Sequence, residues 1–273
     1  MSRALAFAKI NLALVVGPLR PDGKHELASV LQRVSLSDEV ALEPAQDGRL
    51  VVDGFAEDTL VRAALEAAGR ASAAPRAWRA TIDNRIPVAA GLGGGSSDAA
   101  SVLRLANALL PQPLTPSEMH SVAAEIGSDV PFFLSRGTQL ATGTGVELAP
   151  LALPLDYWVV LLLPHGEHKT STADVYGAFD RRGGADGFEA RRRALVETLE
   201  SVRGASDLTM LPPSDLASSP LAARLVELGA CRAQVTGAGP AVYGLFEDRA
   251  DAGQAIDALR GVGTTWLTHP IDG

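Results

Sequence analysis

The stretch PVAAGLGGGSSDAAS, Pro87 to Ser101, sets Gly91, Gly93, Gly94 and Gly95 directly ahead of Ser96-Ser97-Asp98. From Ser97 to Leu110 small and apolar residues then cover most of the circumference of a helix, as a helix packed inside a domain requires. Flexible backbone amides and a helix N-terminus converge at one point, which is what a polyphosphate needs. Pro87, Ala89, Gly91, Leu92, Gly93, Gly94, Gly95, Ser96 and Ser97 are the candidate nucleotide-binding residues. The serine hydroxyls can cap the helix, donate to phosphate or, at Ser97, help hold Mg²⁺. A plain capped helix after a flexible loop is the competing reading. Capping needs one special residue, however, and ordering three consecutive glycines costs entropy that only an occupant of the open space repays.

Two rival phosphate motifs fail on spelling. The Walker pattern ends in Gly-Lys-Ser/Thr, whereas the Gly-Lys pair here, Gly23-Lys24, is followed by His25. The dinucleotide fingerprint starts correctly at Gly91-Leu92-Gly93, but Ser96 stands where its third glycine or alanine belongs. A nicotinamide-dependent oxidoreductase is thus the rival from another class.

Working outward, Ala4 to Val16 alternates as a strand, with Phe7, Lys9, Asn11 and Ala13 on one face and Ala8, Ile10, Leu12 and Leu14 on the other. Lys9 and Asn11 interrupt the apolar run where a signal peptide would be unbroken. GPLRPDGKHE reads as a loop, followed by strands over Ser29–Leu36 and Glu39–Glu43. A helix over Asp58–Gly69 and a strand over Ala77–Ile82 lead into the glycine loop. Thr115-Pro116-Ser117-Glu118 is a capping box that starts a helix ending at Gly127, delivering the chain to Ser128 and Asp129. The proline-spaced LALPLD before the apolar strand Tyr157–Leu163 marks a boundary near residue 154. Helices over Glu189–Val202 and Leu221–Leu228, a strand, a glycine loop and the strand Val242–Phe246 complete an α+β reading. His165 and His168 have a metal-like spacing without a third ligand and read as loop residues.

The 273 residues carry 47% apolar and 21% charged residues, the mix of a folded domain. A formal net charge of −8 opposes binding to nucleic acid, while leaving room for a local anion site built from amides and a lysine. With Cys231 the single cysteine, no intrachain disulfide forms, which fits a cytoplasmic protein. No uncharged apolar run is long enough for a membrane span.

The glycine loop resembles the second motif of the GHMP kinase superfamily, which includes galactokinase, homoserine kinase and mevalonate kinase. AKINLAL at Ala8–Leu14 is similar to that family's first motif, and VTGAGPAVYGLF at Val235–Phe246 to its third. The spellings AKINLAL, RPDGKHEL, GLGGGSSDAA and GSDVPFFL resemble one branch, whose members use ATP and Mg²⁺ to phosphorylate the tertiary 2-hydroxyl of a CDP-linked methylerythritol for non-mevalonate isoprenoid synthesis. The resemblance implies a two-domain fold with its active site in the cleft between lobes. On this reading residues 1–154 bind ATP and a ferredoxin-like domain, residues 155–273, lies on the substrate side, in a monomer or homodimer. It also implies that Asp129 is the catalytic carboxylate, accepting the alcohol proton, with Lys9 as its cationic partner. By residue type alone, Asp129 two residues before Pro131 and an apolar run reads first as a helix N-cap, a preference that the resemblance reverses. Asn11 and His25 match positions that contact the diphosphocytidyl group. Tyr176, four residues after the further substrate-side candidate Thr172, lies where the branch supplies an aromatic against cytosine.

Three departures stand out. Lys24 replaces the tyrosine of the usual Asp-Gly-Tyr-His, removing one aromatic wall and offering a cation–π or phosphate contact instead. Thr59 precedes Leu60 where the branch has asparagine, and Asn84 replaces a lysine, so the adenine contacts are not carried over. The Gly237–Gly239 turn either supports the site or joins two strands. A GHMP kinase for a simpler alcohol such as homoserine or mevalonate is the nearer alternative, opposed by GSDVPFFL and DGKHEL. A catalytically dead member is opposed by the presence of both Lys9 and Asp129.

Overall fold

The computed structural model describes residues 1–45, 48–54, 59–71, 77–166 and 171–272. By internal contacts the chain divides into two compact units, one of residues 1–8, 36–88 and 93–136, the other of residues 9–35, 89–92 and 137–273. Residue 154, the expected boundary, lies within the second unit. The units interleave because two long strands, β1 (Ser2–Leu19) and β2 (His25–Pro44), each contribute to both. From Ala8 to Gly17 strand β1 is buried on both faces, so its alternation there separates polar from apolar side chains rather than solvent from core.

In the first unit, Glu39–Pro44 of β2 pairs antiparallel with β4 (Trp78–Asp83), and β4 pairs in parallel with β3 (Val51–Asp53). Helix α1 (Thr59–Ala71) packs on α2 (Gly94–Ala108), and α3 (Pro116–Ile126) contacts α1 and the short α4 (Val130–Leu134). Small residues make the α2 contact possible: Ala99, Ala100 and Ala106 are fully buried. The expected capping box forms in full, the Thr115 hydroxyl accepting the Glu118 N–H and the Glu118 carboxylate accepting the Thr115 N–H. The expected first residue of α1, Asp58, falls outside the described residues, and Gly69 lies inside the helix, which runs on to Ala71.

In the second unit, Leu27–Leu31 of β2 pairs with β5 (Thr138–Gly143), which continues to β6 (Glu147–Leu151). A four-stranded antiparallel sheet follows, formed by β7 (Trp158–Pro164), β8 (Arg232–Val235), β9 (Val242–Phe246) and β10 (Gly263–Thr268) in the order β10-β7-β9-β8. Helices α5 (Thr172–Arg181), α6 (Phe188–Ser201) and α7 (Pro220–Glu227) intervene between β7 and β8, and α8 (Arg249–Ala258) between β9 and β10. That is the split βαβ order. Its core, around Val160, Leu162, Leu225, Val242, Phe246 and Leu259, lies between the sheet and helices α7 and α8.

Two sequence expectations change. Ser29–Leu36 and Glu39–Glu43 belong to one strand, β2, which exchanges partners along its length. The polar Ser35, Ser37 and Asp38 break the alternation without ending the strand. Helix α2 begins at Gly94, three residues early, so the last two glycines belong to its first turn. The pairings with defined register are antiparallel except β3 with β4, which is not the doubly wound parallel sheet a dinucleotide-binding fold requires. Among the described residues no helix is long and apolar enough to cross a membrane.

Candidate functional site

Within the second unit, Lys9 and Asn11 of β1 are each only 4% exposed, and Lys9 Nζ donates to Asn11 Oδ1 at 2.7 Å. Alternation along the strand puts both side chains on one face, as their spacing predicts. Their backbone is anchored from the other sheet. Gln234 Nε2 donates to the carbonyls of Asn11 and Leu12, both at 3.0 Å, and Tyr243 Oη donates to the Asn11 carbonyl at 2.9 Å. Burial pushes the Tyr243 phenol up, so it remains a protonated donor. Arg232 adds a bond from its guanidinium to the Leu12 carbonyl at 2.9 Å.

The glycine loop meets this strand directly. The Lys9 N–H donates to the Leu92 carbonyl at 2.9 Å, and the Ala241 N–H, just beyond the third motif's glycines, donates to the Ala90 carbonyl at 3.1 Å. Gly91 adopts a φ of +84°, and a Cβ there would stand 2.3 Å from the Thr236 carbonyl oxygen, so no larger residue fits. Gly237 faces the same pair at ordinary contact distance: a Cβ there would lie 3.4 Å from Lys9 Nζ and 3.6 Å from Asn11 Oδ1. The Gly237–Gly239 turn, which joins β8 to β9, thus lies against the buried lysine. Ala89 holds a φ of +59°, a strained conformation for a residue with a Cβ, in the middle of the candidate phosphate loop.

Within the first unit, the loop enters α2 through Gly93 in the left-handed region, φ +73°, with no side-chain cap. Ser96 and Ser97 therefore sit in the first turn, not at the cap. The Ser97 N–H closes on the Gly93 carbonyl at 2.9 Å, whereas helix geometry gives the N–H groups of Gly94, Gly95 and Ser96 no acceptor in their own helix. Asp38, fully buried, supports the approach: it accepts the N–H groups of Arg85 at 2.5 Å and Ile86 at 2.7 Å, just before Pro87. Asn84 donates its side-chain amide to Asp38 at 3.3 Å, so this departure from the family spelling serves the carboxylate. Burial pushes the Asp38 carboxyl up, against the two backbone bonds and Asn84, which pull it down. Leu60 reaches within 3.6 Å of where a Gly95 Cβ would stand, while Thr59 opens α1 from an exposed position.

Asp129 occupies the N-cap position of α4, but its carboxylate makes no capping bond. Closing a helix is therefore not what its side chain does. Ser97 contributes a buried hydroxyl, and among the described residues no group of three or more His, Cys, Asp or Glu could hold a metal ion. His165 is exposed beyond β7, and His168 falls outside the described residues.

A separate cluster in the second unit joins His25 to Tyr176, with ring centroids 4.7 Å apart, and to the edge of Phe179 at 6.0 Å. His25 Nε2 lies 2.8 Å from Asp180 Oδ1. Lys24 is exposed in the preceding turn, its N–H donating to Asp22 Oδ1 at 3.1 Å, and Thr172 is exposed at the first residue of α5. Sequence reasoning missed Asp38, Ser29, Thr236 and Asp180. The available signal for Asp38 was a carboxylate in the short polar break between the two expected strands. The other three acquire their contacts only through tertiary folding.

A buried strand lysine beside a glycine loop that opens a helix, together with a glycine turn from a split βαβ sheet, defines a GHMP kinase. The family models agree: "GHMP kinases N terminal domain" matches residues 58–137 and "GHMP kinases C terminal" matches residues 214–264. A crystal structure of 4-(cytidine 5'-diphospho)-2C-methyl-D-erythritol kinase superposes with a TM-score of 0.78 and 31% identity, covering 100% of each chain. A crystal structure of mevalonate kinase also reaches a TM-score of 0.78 with full coverage of both chains, at 12% identity, and so shares the fold alone. The chain belongs to the 4-diphosphocytidyl-2-C-methyl-D-erythritol kinase family: the Desulfitobacterium hafniense (strain Y51) protein of that name is 34% identical over 98% of this chain and 95% of its own length.

Proposed function

We propose that this chain transfers the γ-phosphoryl group of ATP to the 2-hydroxyl of 4-diphosphocytidyl-2-C-methyl-D-erythritol in isoprenoid precursor synthesis. The observation that carries the reading is the buried Lys9–Asn11 pair, bonded through its backbone to Leu92 of the glycine loop and abutted by Gly237. A buried ammonium this close to a phosphate loop is suited to neutralising charge on a transferring phosphoryl group. Pro87 to Ser97 cradle the nucleotide, with the N–H groups of Gly94, Gly95 and Ser96 toward phosphate oxygens. The hydroxyl oxygen attacks the γ-phosphorus, the bond to the β-phosphate oxygen breaks, Asp129 takes the hydroxyl proton and ADP leaves.

Ser97, through its single hydroxyl, would help hold a Mg²⁺ that arrives with ATP. When bound, the ion supplies neutralisation across the phosphate oxygens. Asn11, His25, Tyr176, Thr172 and Lys24 serve the diphosphocytidyl substrate. The free thiol of Cys231 suits a reducing cytoplasm, the proposed location. The test is a substrate panel with coupled ADP detection. Turnover of the CDP-linked alcohol, with homoserine and mevalonate inert, is the expected result, and Asp129→Asn should lower kcat by about 10²-fold or more while substrate still binds. Turnover of homoserine or mevalonate alone overturns the substrate assignment, and a full-rate Asp129→Asn enzyme overturns the base.

A further inference from the structure

Thr236, fully buried just after β8, joins all three motifs within the second unit. Its hydroxyl accepts the Asn11 N–H at 3.1 Å and lies 3.2 Å from Asn11 Oδ1 and 3.4 Å from the Gly91 carbonyl oxygen. The orientation of the Asn11 amide follows from the donors around it. An ammonium only donates, so Lys9 Nζ at 2.7 Å requires the oxygen of Asn11. On the other side, the Ser29 hydroxyl spends its hydrogen on the Ala13 carbonyl at 2.8 Å and must accept from Asn11 Nδ2, also at 2.8 Å. The Thr236 hydrogen is then left for Asn11 Oδ1 or the Gly91 carbonyl.

We propose that Thr236 is a positioning residue for the phosphoryl-transfer reaction: its hydroxyl accepts the Asn11 N–H and gives its one hydrogen to the nearer acceptor, the Asn11 side-chain oxygen, holding that oxygen against Lys9 beside Gly91. The inference rests on the kinase reading above. Asn11 thereby orients the ammonium, a task additional to any contact with the substrate. Nothing bulky intervenes, since the next residue is Gly237. A buried polar network of this kind holds one geometry only while every member is satisfied.

The experiment compares Thr236→Val, which keeps shape and loses the hydroxyl, with Thr236→Ser, which keeps the hydroxyl. Both are also placed in a Lys9→Met background. The Val variant is expected to lose about tenfold or more in kcat, with KM for ATP and for the alcohol each within about threefold. The Ser variant should stay within about threefold of wild type. In the Lys9→Met background Thr236→Val should add little further loss, because both changes remove one device. Equal kcat for the Val and wild-type enzymes, or losses that multiply in the double variant, overturns the proposal. Should Thr236→Val fail to fold, Thr236→Cys replaces it, and failure of both assigns Thr236 to the fold alone and also overturns the proposal. The ratios are read with whichever alcohol the wild type phosphorylates, so an error in the substrate assignment shows in the wild type and leaves this test intact.

Discussion

Lys24 separates what a turn needs from what a ligand needs. Its backbone is committed: the N–H donates to Asp22, the carbonyl accepts from the Arg20 N–H at 2.8 Å, and Gly23 supplies the positive φ of +78°. Its side chain is exposed and enters none of these bonds. Next to it, His25 is buried against Tyr176 and Phe179 with Asp180 on its Nε2. On the proposed reading that cluster offers cytosine one aromatic face, and residue 24 is placed to offer another. Base–aromatic stacking contributes about 1–3 kcal/mol per base. Lys24→Tyr should therefore lower KM for the CDP-linked alcohol roughly fivefold or more, with KM for ATP unchanged and the melting temperature little moved, as for most surface substitutions. Steady-state kinetics with each substrate varied in turn checks this, and an unchanged KM for the alcohol removes position 24 from the site.

The elements that carry the loop depend on polar groups that periodicity does not reveal. Strand β2 was legible as two strands because Ser35, Ser37 and Asp38 interrupt its alternation, yet Asp38 is the residue that ties β2 to the entry of the glycine loop. Helix α3 was legible in full, since its capping box is local in sequence. The Asn11–Thr236 and His25–Asp180 contacts were not, because their partners are 225 and 155 residues apart and only the folded chain brings them together. Asp38→Ala should destabilise the protein by about 2 kcal/mol or more, since it strands two backbone donors beside buried Ile86. Asp38→Asn keeps an acceptor oxygen and should cost much less. The pH dependence has a definite sign: with its folded pKa above the ordinary aspartate value, Asp38 stabilises most when protonated. The stability of wild type relative to Asp38→Asn should therefore fall as pH rises above about 4, the unfolded value, through the folded pKa. Paired thermal melts across that window check it, and a difference that grows with pH reverses the assignment.

At the scale of the whole molecule, the three motifs were legible because each is a short local spelling. Their division between two interleaved units was not, because it follows from β1 and β2 running through both. At Gly95 the chain carries a glycine where its own stability would favour alanine. Gly95 lies in the first turn of α2 without a positive φ, and its Cβ would meet Leu60 at 3.6 Å, an ordinary contact. Glycine inside a helix costs roughly 0.5–1 kcal/mol relative to alanine. Gly95→Ala should thus leave the melting temperature of the ligand-free chain unchanged or raise it by a few degrees. A methyl group on that turn, however, intrudes on the space assigned to phosphate. For wild type, Mg·ATP at about one hundred times its Kd should stabilise by about 2.7 kcal/mol. For a chain of this size that corresponds to a melting shift of roughly 5–10 °C. The Gly95→Ala protein should keep its fold and lose most of that shift. A variant that is no less stable alone yet no longer responds to nucleotide separates the loop's ligand role from its structural one, whereas an undiminished shift places the phosphates elsewhere.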